Sequence, residues 1–150
     1  MKQTLLLIVT FVTGFVAGCN AQCPKNTFTF SLSPGITQSG VILSMEGGLW
    51  PIQGRVGVMA GGLIYDENVS TTKGKERITQ IDASGRVIYK LTKLGSDHPQ
   101  LVTAFATLRG LVGATYRAYT SIGQYTLIGI EPGYINRLGA SVNVLITARL

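Results

Sequence analysis

The chain has 150 residues and a formal net charge of +6, and only 13% of its residues are charged while 45% are hydrophobic. This length corresponds to a single domain and excludes a multidomain protein. The basic residues are spread along the chain rather than clustered, which disfavours nucleic acid as a partner.

Residues 1–21 have the three parts of a secretory signal peptide. Lys2 supplies a positive charge, an apolar run extends from Leu5 to Ala17, and small residues follow. The run is shorter than the roughly 20 residues that a transmembrane helix needs, which favours cleavage over a permanent anchor. We therefore predict an exported protein with a signal peptide over 1–21, cleavage after Ala21, and a β domain over 22–150.

A second interpretation of the same region involves Cys19. The segment Val16-Ala17-Gly18-Cys19 resembles the bacterial lipobox, in which the cysteine becomes the lipidated first residue of the mature protein. Cys19 is therefore a candidate lipidation site, in competition with cleavage after Ala21. Either way Cys23 is left alone, so neither an internal disulfide nor a metal site built from cysteines is expected.

The remaining residues alternate between apolar and polar at every second position, which predicts β-strands almost throughout. The last segment is the clearest, because one face carries only apolar residues: Val142, Val144, Ile146, Ala148 and Leu150. Strands are predicted near 27–33, 40–49, 55–65, 76–82, 86–93, 101–110, 114–131 with an interruption, and 140–150. Turns are predicted at 34–35, 50–54, 83–85 and 136–139, and the polar segment 66–77 is predicted to be the longest loop.

Residues 97–110 fit two patterns. Asp97 and His98 before Pro99 are typical of a helix start, but Val102, Ala104 and the residues after them alternate as in a strand. We favour a strand, because the neighbouring segments are strands.

These features together predict an all-β fold, an antiparallel up-and-down barrel of about eight strands after the signal peptide. Strands that cross a membrane must close on themselves to satisfy their backbone hydrogen bonds, and eight strands of about ten residues are the smallest common solution. The chain contains 19 glycines, which suit a crowded interior, and six tyrosines, which are expected in the aromatic girdles.

The alternating pattern over the mature chain resembles the small outer-membrane β-barrel proteins of diderm bacteria, the OmpA-type and OmpX-type barrels. The resemblance lies in the pattern and carries no diagnostic motif, and the chain ends in Leu150 where such barrels commonly end in an aromatic residue. It implies a non-enzymatic protein of the outer membrane with a structural, adhesion or surface-interaction role, or a very narrow pore. The partners it implies are membrane lipid, including lipopolysaccharide, and a protein that the sequence does not identify.

A soluble alternative remains open at this point. A periplasmic β-sandwich or β-barrel binding domain, free or lipid-anchored through Cys19, also has strands with one apolar face. Alternation alone does not tell whether that face points outward or inward.

The sequence predicts no catalytic residue, metal site or cofactor. His98 lies in a polar turn, and the seven acidic residues do not form an acid and base pair. Glu131 interrupts an apolar stretch and is a candidate for an interior ion pair with Arg109, Arg117 or Arg149. The competing interpretation places Glu131 at a strand end beside a turn.

A locally basic segment contains Lys73, Lys75 and Arg77. In the barrel interpretation these residues form a surface loop that contacts lipopolysaccharide or a protein partner. An ordinary solvated hairpin is the competing interpretation.

Overall fold

A computed structural model describes residues 27–50, 55–72, 74–92, 98–123 and 125–149. It contains eight β-strands: β1 (Thr27–Thr37), β2 (Val41–Trp50), β3 (Val56–Thr71), β4 (Gly74–Lys90), β5 (Gln100–Thr107), β6 (Val112–Ser121), β7 (Thr126–Ile135) and β8 (Gly139–Arg149). The predicted signal peptide, Cys19, Lys73 and Leu150 lie outside the described residues. Among the described residues, no helix has the length and apolarity that crossing a bilayer requires.

Each strand pairs antiparallel with the next one along the chain, and β1 also pairs with β8, so the sheet closes into a barrel. At the closing seam, Phe30 lies opposite Ala148 and Ile36 lies opposite Val142. Closure gives every strand two hydrogen-bonded neighbours. The predicted all-β, up-and-down barrel of eight strands is therefore confirmed.

The apolar face of the strands points outward. In β8 the side chains of Val142, Val144 and Ile146 are about half exposed, whereas those of Asn143 and the other inward residues are buried. Because successive residues of a strand point to opposite faces, this alternation places small or polar groups inside much of the barrel. The orientation that the sequence left open is thus settled by the structure.

The two ends of the barrel differ. The connections β1–β2, β3–β4, β5–β6 and β7–β8 lie at one end, here called the hairpin end. The strand ends that flank the other three connections lie with Thr27 and Arg149 at the opposite end, here called the terminus end.

Two predicted turns lie inside strands. Pro34 and Gly35 belong to β1, and residues 83–85 belong to β4, where Gly85 lies opposite Ala60 on one side and Ala106 on the other. The predicted strands 76–82 and 86–93 are therefore one strand, β4. Small residues typical of turns remain extended here because two neighbouring strands hold them.

Two predictions about the second half of the chain have definite outcomes. Residues 100–107 form β5 with strictly alternating burial and pair with both β4 and β6, so the strand favoured for this segment is confirmed. The interrupted strand 114–131 is two strands, β6 and β7, which a turn near Gly123 separates.

The prediction of a long loop over 66–77 is wrong. Pairing of β3 with β2 ends at Tyr65, and pairing of β4 with β5 begins at Ser84, but β3 and β4 stay paired as far as Thr71 opposite Gly74. Residues 66–71 and 74–79 therefore extend from the hairpin end as a two-stranded ribbon. Gly74 has a φ of +123°, which only glycine adopts freely, and this conformation reverses the chain at the tip.

Asp66 fixes the base of the ribbon. Its carboxylate accepts a hydrogen bond of 2.8 Å from the Thr79 hydroxyl and one of 3.3 Å from the Val41 backbone N–H. These two hydrogen bonds hold the pKa of Asp66 below its usual value, because they favour the charged carboxylate. The ribbon is thereby attached to the adjoining strand β2.

The interior is crowded, as the glycine content predicts. Gly61 points inward between Met59 and Leu63, and a Cβ atom there would overlap the backbone carbonyl oxygen of Met45. The tyrosines divide between the two faces, which corrects the expectation that all six populate the outer girdles. Tyr65 and Tyr119 point inward and are buried.

Candidate functional site

Four charged side chains meet inside the barrel and are here called the charge cluster. They are Glu46 of β2, Arg86 of β4, Arg117 of β6 and Glu131 of β7. Each occupies an inward position of its strand, and none is more than 5% exposed. Burial of a charge is tolerated in proteins only when the charge is paired and hydrogen-bonded, so the contacts of these four residues decide their role.

Arg86 joins the two carboxylates. Its Nε donates to Glu46 Oε1 at 2.8 Å, and its Nη1 donates to Glu131 Oε1 at 2.6 Å. The guanidinium group also lies over the Phe105 ring, with 4.7 Å between Cζ and the ring centroid, which adds a cation–π contact.

Arg117 makes the corresponding contacts from another strand. Its Nη2 donates to Glu46 Oε2 at 2.9 Å, and its Nε donates to Glu131 Oε1 at 2.9 Å. Strands β2 and β6 are four positions apart in a ring of eight, so the contact between Arg117 and Glu46 spans the lumen. The cluster contains two cations and two anions and is neutral as a whole.

Hydroxyl groups complete the cluster. Thr115 Oγ1 donates to Glu131 Oε1 at 2.5 Å and accepts from Arg86 Nη1 at 3.1 Å, so it bridges the two charges. Thr103 Oγ1 accepts from the same Arg86 nitrogen at 2.7 Å, and Asn143 Nδ2 lies 3.4 Å from Glu131 Oε2. These groups hold the carboxylate and the guanidinium in fixed orientations.

Apolar layers lie on both sides of the charge cluster. Toward the hairpin end the buried layer consists of Ile42, Leu63, Tyr65, Phe105, Leu111, Ile135 and Leu138. Toward the terminus end it consists of Trp50, Met59, Ile88, Leu101, Tyr119, Leu127 and Leu145. In the second layer the Trp50 and Tyr119 rings meet edge to face, with centroids 5.3 Å apart. The charge cluster therefore lies between two buried apolar layers.

The structure brings together only part of the ion pair that the sequence suggested. Glu131 and Arg117 are in contact in the interior, within β7 and β6 rather than at a strand end. Arg109 is exposed in the turn after β5, where its guanidinium bonds to Gln80 and its backbone N–H to Asp82. Arg149 is half-buried at the last residue of β8, at the terminus end. Both lie at the ends of strands, at the wrong height to reach Glu131.

Sequence reasoning missed Glu46 and Arg86. Each lies two positions along its strand from a buried serine and therefore points to the same, inner face: Glu46 follows Ser44 in β2, and Arg86 follows Ser84 in β4. The alternation along each strand could therefore have identified both residues as inward-facing once the inner face was known. The partner of each charged residue across the lumen could not be predicted in this way, because it depends on the register of all eight strands.

The remaining candidate residues lie on the surface. Lys75 and Arg77 are exposed on the ribbon, opposite Ser70 and Asn68. His98 is exposed, with its Nδ1 at 3.5 Å from the Thr120 hydroxyl. In the described ranges, no group of three or more histidine, cysteine, aspartate or glutamate side chains is arranged to hold a metal ion.

Comparison with models of protein families, with curated protein sequences and with solved structures finds no match for this chain.

Proposed function

We propose that the chain is a non-enzymatic β-barrel protein of the bacterial outer membrane, with a closed interior and a role in envelope structure, adhesion or surface interaction. The observation that carries this proposal is the distribution of side chains between the two faces of the barrel. Paired charged groups occupy the centre of the lumen between two buried apolar layers, and many further large apolar side chains are exposed on the outside.

The outer surface suits lipid rather than water. Large apolar side chains that are 40–69% exposed occur on every strand except β3, and in β8 Val142, Val144 and Ile146 occupy three consecutive outward positions. Soluble monomers rarely expose contiguous apolar patches larger than a few hundred Å². A soluble barrel with this structure would leave these apolar side chains in water while four charged side chains stay buried in its interior.

Strand lengths support the same proposal. Strands β1, β2, β6, β7 and β8 have 10 or 11 residues. A tilted strand needs about 9 to 11 residues to cross the hydrocarbon core of a bilayer. The barrel therefore has the height of a membrane-spanning one.

The filled interior supports a scaffold or surface role over a wide channel. Side chains fill most of the interior of eight-stranded barrels, and here two apolar layers and four paired charges cross the lumen.

The ribbon supports a surface-interaction role. Lys75 and Arg77 lie at alternate positions of β4 and so share one face, beyond the last residues that pair with neighbouring strands. Two exposed cations outside the bilayer suit an anionic partner, such as the phosphates of lipopolysaccharide or an acidic protein surface.

Fractionation of cells that express the protein tests this proposal. We expect the protein to remain in the membrane fraction after sodium carbonate extraction. We also expect the unheated protein to migrate differently on a gel from the heated one, since a closed barrel resists unfolding by the gel detergent. We further propose that the hairpin end faces the outside of the cell. Trypsin added to intact cells is then expected to cut at Lys75 or Arg77, which are exposed on the ribbon.

Two outcomes would contradict the proposal. Release of the protein into the soluble fraction, with heat-insensitive mobility, would leave a periplasmic β domain. Protection of the ribbon in intact cells, with cutting only after lysis, would reverse the proposed orientation and remove the surface role of the ribbon.

A further inference from the structure

An open groove of about 640 Å³ runs along the outer surface over strands β4 to β7. Its floor is shallow because Ala104 and Ala114 lie opposite each other on β5 and β6. Two larger groups, Tyr89 and Tyr116, stand in the adjacent row of outward residues on the terminus side, with Val102 between them. Small residues beside large aromatic residues thus form a depression in the outer surface of the barrel.

A cationic side chain lies beside Tyr89, which lines the terminus end of this groove. Arg55, exposed just before β3 at the terminus end, donates from Nη1 to the Tyr89 hydroxyl at 3.4 Å. The groove therefore begins beside a guanidinium and a phenol hydroxyl and continues between aliphatic side chains. Tyrosines are characteristic of the level where acyl chains meet headgroups.

We propose that this groove binds one glycerophospholipid, with an acyl chain over Ala104 and Ala114 and the phosphate on Arg55 and the Tyr89 hydroxyl. The inference rests on the proposed membrane location. An arginine guanidinium matches the geometry of a phosphate, and the groove volume falls in the range of about 300–1,000 Å³ that is usual for small-molecule sites. A ligand with one anionic end and an apolar remainder fits the change from the charged Arg55 to the apolar lining of the groove. The sheet face of a second barrel would instead place apolar residues against Arg55.

Native mass spectrometry after reconstitution tests the inference. The protein is inserted into vesicles of phosphatidylcholine and phosphatidylglycerol, checked for insertion by flotation, extracted in a mild detergent and scored for retained phospholipid. Wild type is expected to retain one phospholipid. Arg55→Gln is expected to lower the retained fraction by about tenfold, the scale of one charge-assisted hydrogen bond. Ala104→Phe, which fills the groove, is expected to lower it as well.

Matched controls change the same residue types elsewhere. Arg77→Gln removes an exposed arginine from the ribbon, and Ala60→Phe enlarges an exposed alanine on β3 outside the groove. Both are expected to retain phospholipid as wild type does.

Equal retention in wild type, Arg55→Gln and Ala104→Phe would overturn the inference. A wild-type dimer that Ala104→Phe converts to monomer would overturn it too, because a second copy would then occupy the groove. Failure of the protein to float with the vesicles is a separate result, visible before any lipid is counted, and would refute the proposed membrane location itself.

Discussion

Replacing Arg117 with methionine is expected to destabilise the barrel by about 3–5 kcal/mol, the usual cost of removing one partner from a buried ion pair. Arg117 contacts both Glu46 and Glu131, and all three side chains are at most 1% exposed. The substitution keeps most of the volume and leaves two carboxylates with one guanidinium. Urea unfolding of the vesicle-inserted protein, followed by heat-dependent gel mobility, measures the effect.

A double-mutant cycle isolates the contribution of the charge. Glu46→Gln alone leaves the cluster with an excess positive charge, and Arg117→Met alone leaves an excess negative charge. Together they leave the neutral pair Arg86 and Glu131, so the combined cost is expected to be smaller than the sum of the single costs. Additive costs would mean that the four residues do not act as one cluster.

A surface ion pair provides the control. Arg137 and Glu67 lie 3.5 Å apart, and the arginine side chain is 44% exposed. Arg137→Met is expected to change stability by no more than about 1 kcal/mol, as for other exposed pairs. An equally small effect of Arg117→Met would contradict a stabilising role for the charge cluster.

The second large effect is expected on the outer surface. Val144 lies near the middle of β8, faces outward and is 50% exposed, opposite Ile130 of β7. Val144→Arg is expected to cost about 2–4 kcal/mol in a bilayer, because the arginine would face hydrocarbon. The same substitution on a soluble barrel would place the charge in water, where surface changes usually stay within about 0.5 kcal/mol.

Val69→Arg serves as the matched control for Val144→Arg. Val69 lies in the ribbon opposite Glu76, beyond the part of β3 that pairs with β2. An arginine there is expected to be nearly neutral for stability in vesicles. If both variants unfold at the wild-type urea concentration, the outer surface of β8 does not contact lipid.

Sequence periodicity predicted the strands well where a neighbour on each side reinforces the pattern. The final segment, with Val142 and Val144 on one face, is the best example, and β5 was correctly preferred over a helix. Residue types that are typical of turns led to two wrong predictions, a turn at residues 83–85 and a loop in the ribbon. Serine, glycine and charged residues there occur in strands whose pairing is set by long-range register rather than by local preference.

The interior site was harder to predict for a physical reason. Glu131 was recognisable as a charge within an apolar stretch, but Arg117 and Glu46 are 71 residues apart and meet across the lumen. Such contacts depend on barrel closure and on the height of each residue along its strand. The alternation in the sequence identifies the residues that point inward. It does not show which of them lie at the same height along the barrel axis.

Quenching of tryptophan fluorescence by brominated lipid tests most directly whether the apolar outer face contacts the bilayer. The single native tryptophan, Trp50, is buried in the terminus-side apolar layer. In vesicles we expect weak quenching of the wild type and strong quenching of the added tryptophan in Val144→Trp. Equal, weak quenching in both proteins, with the protein recovered outside the vesicles, would contradict a membrane-spanning barrel.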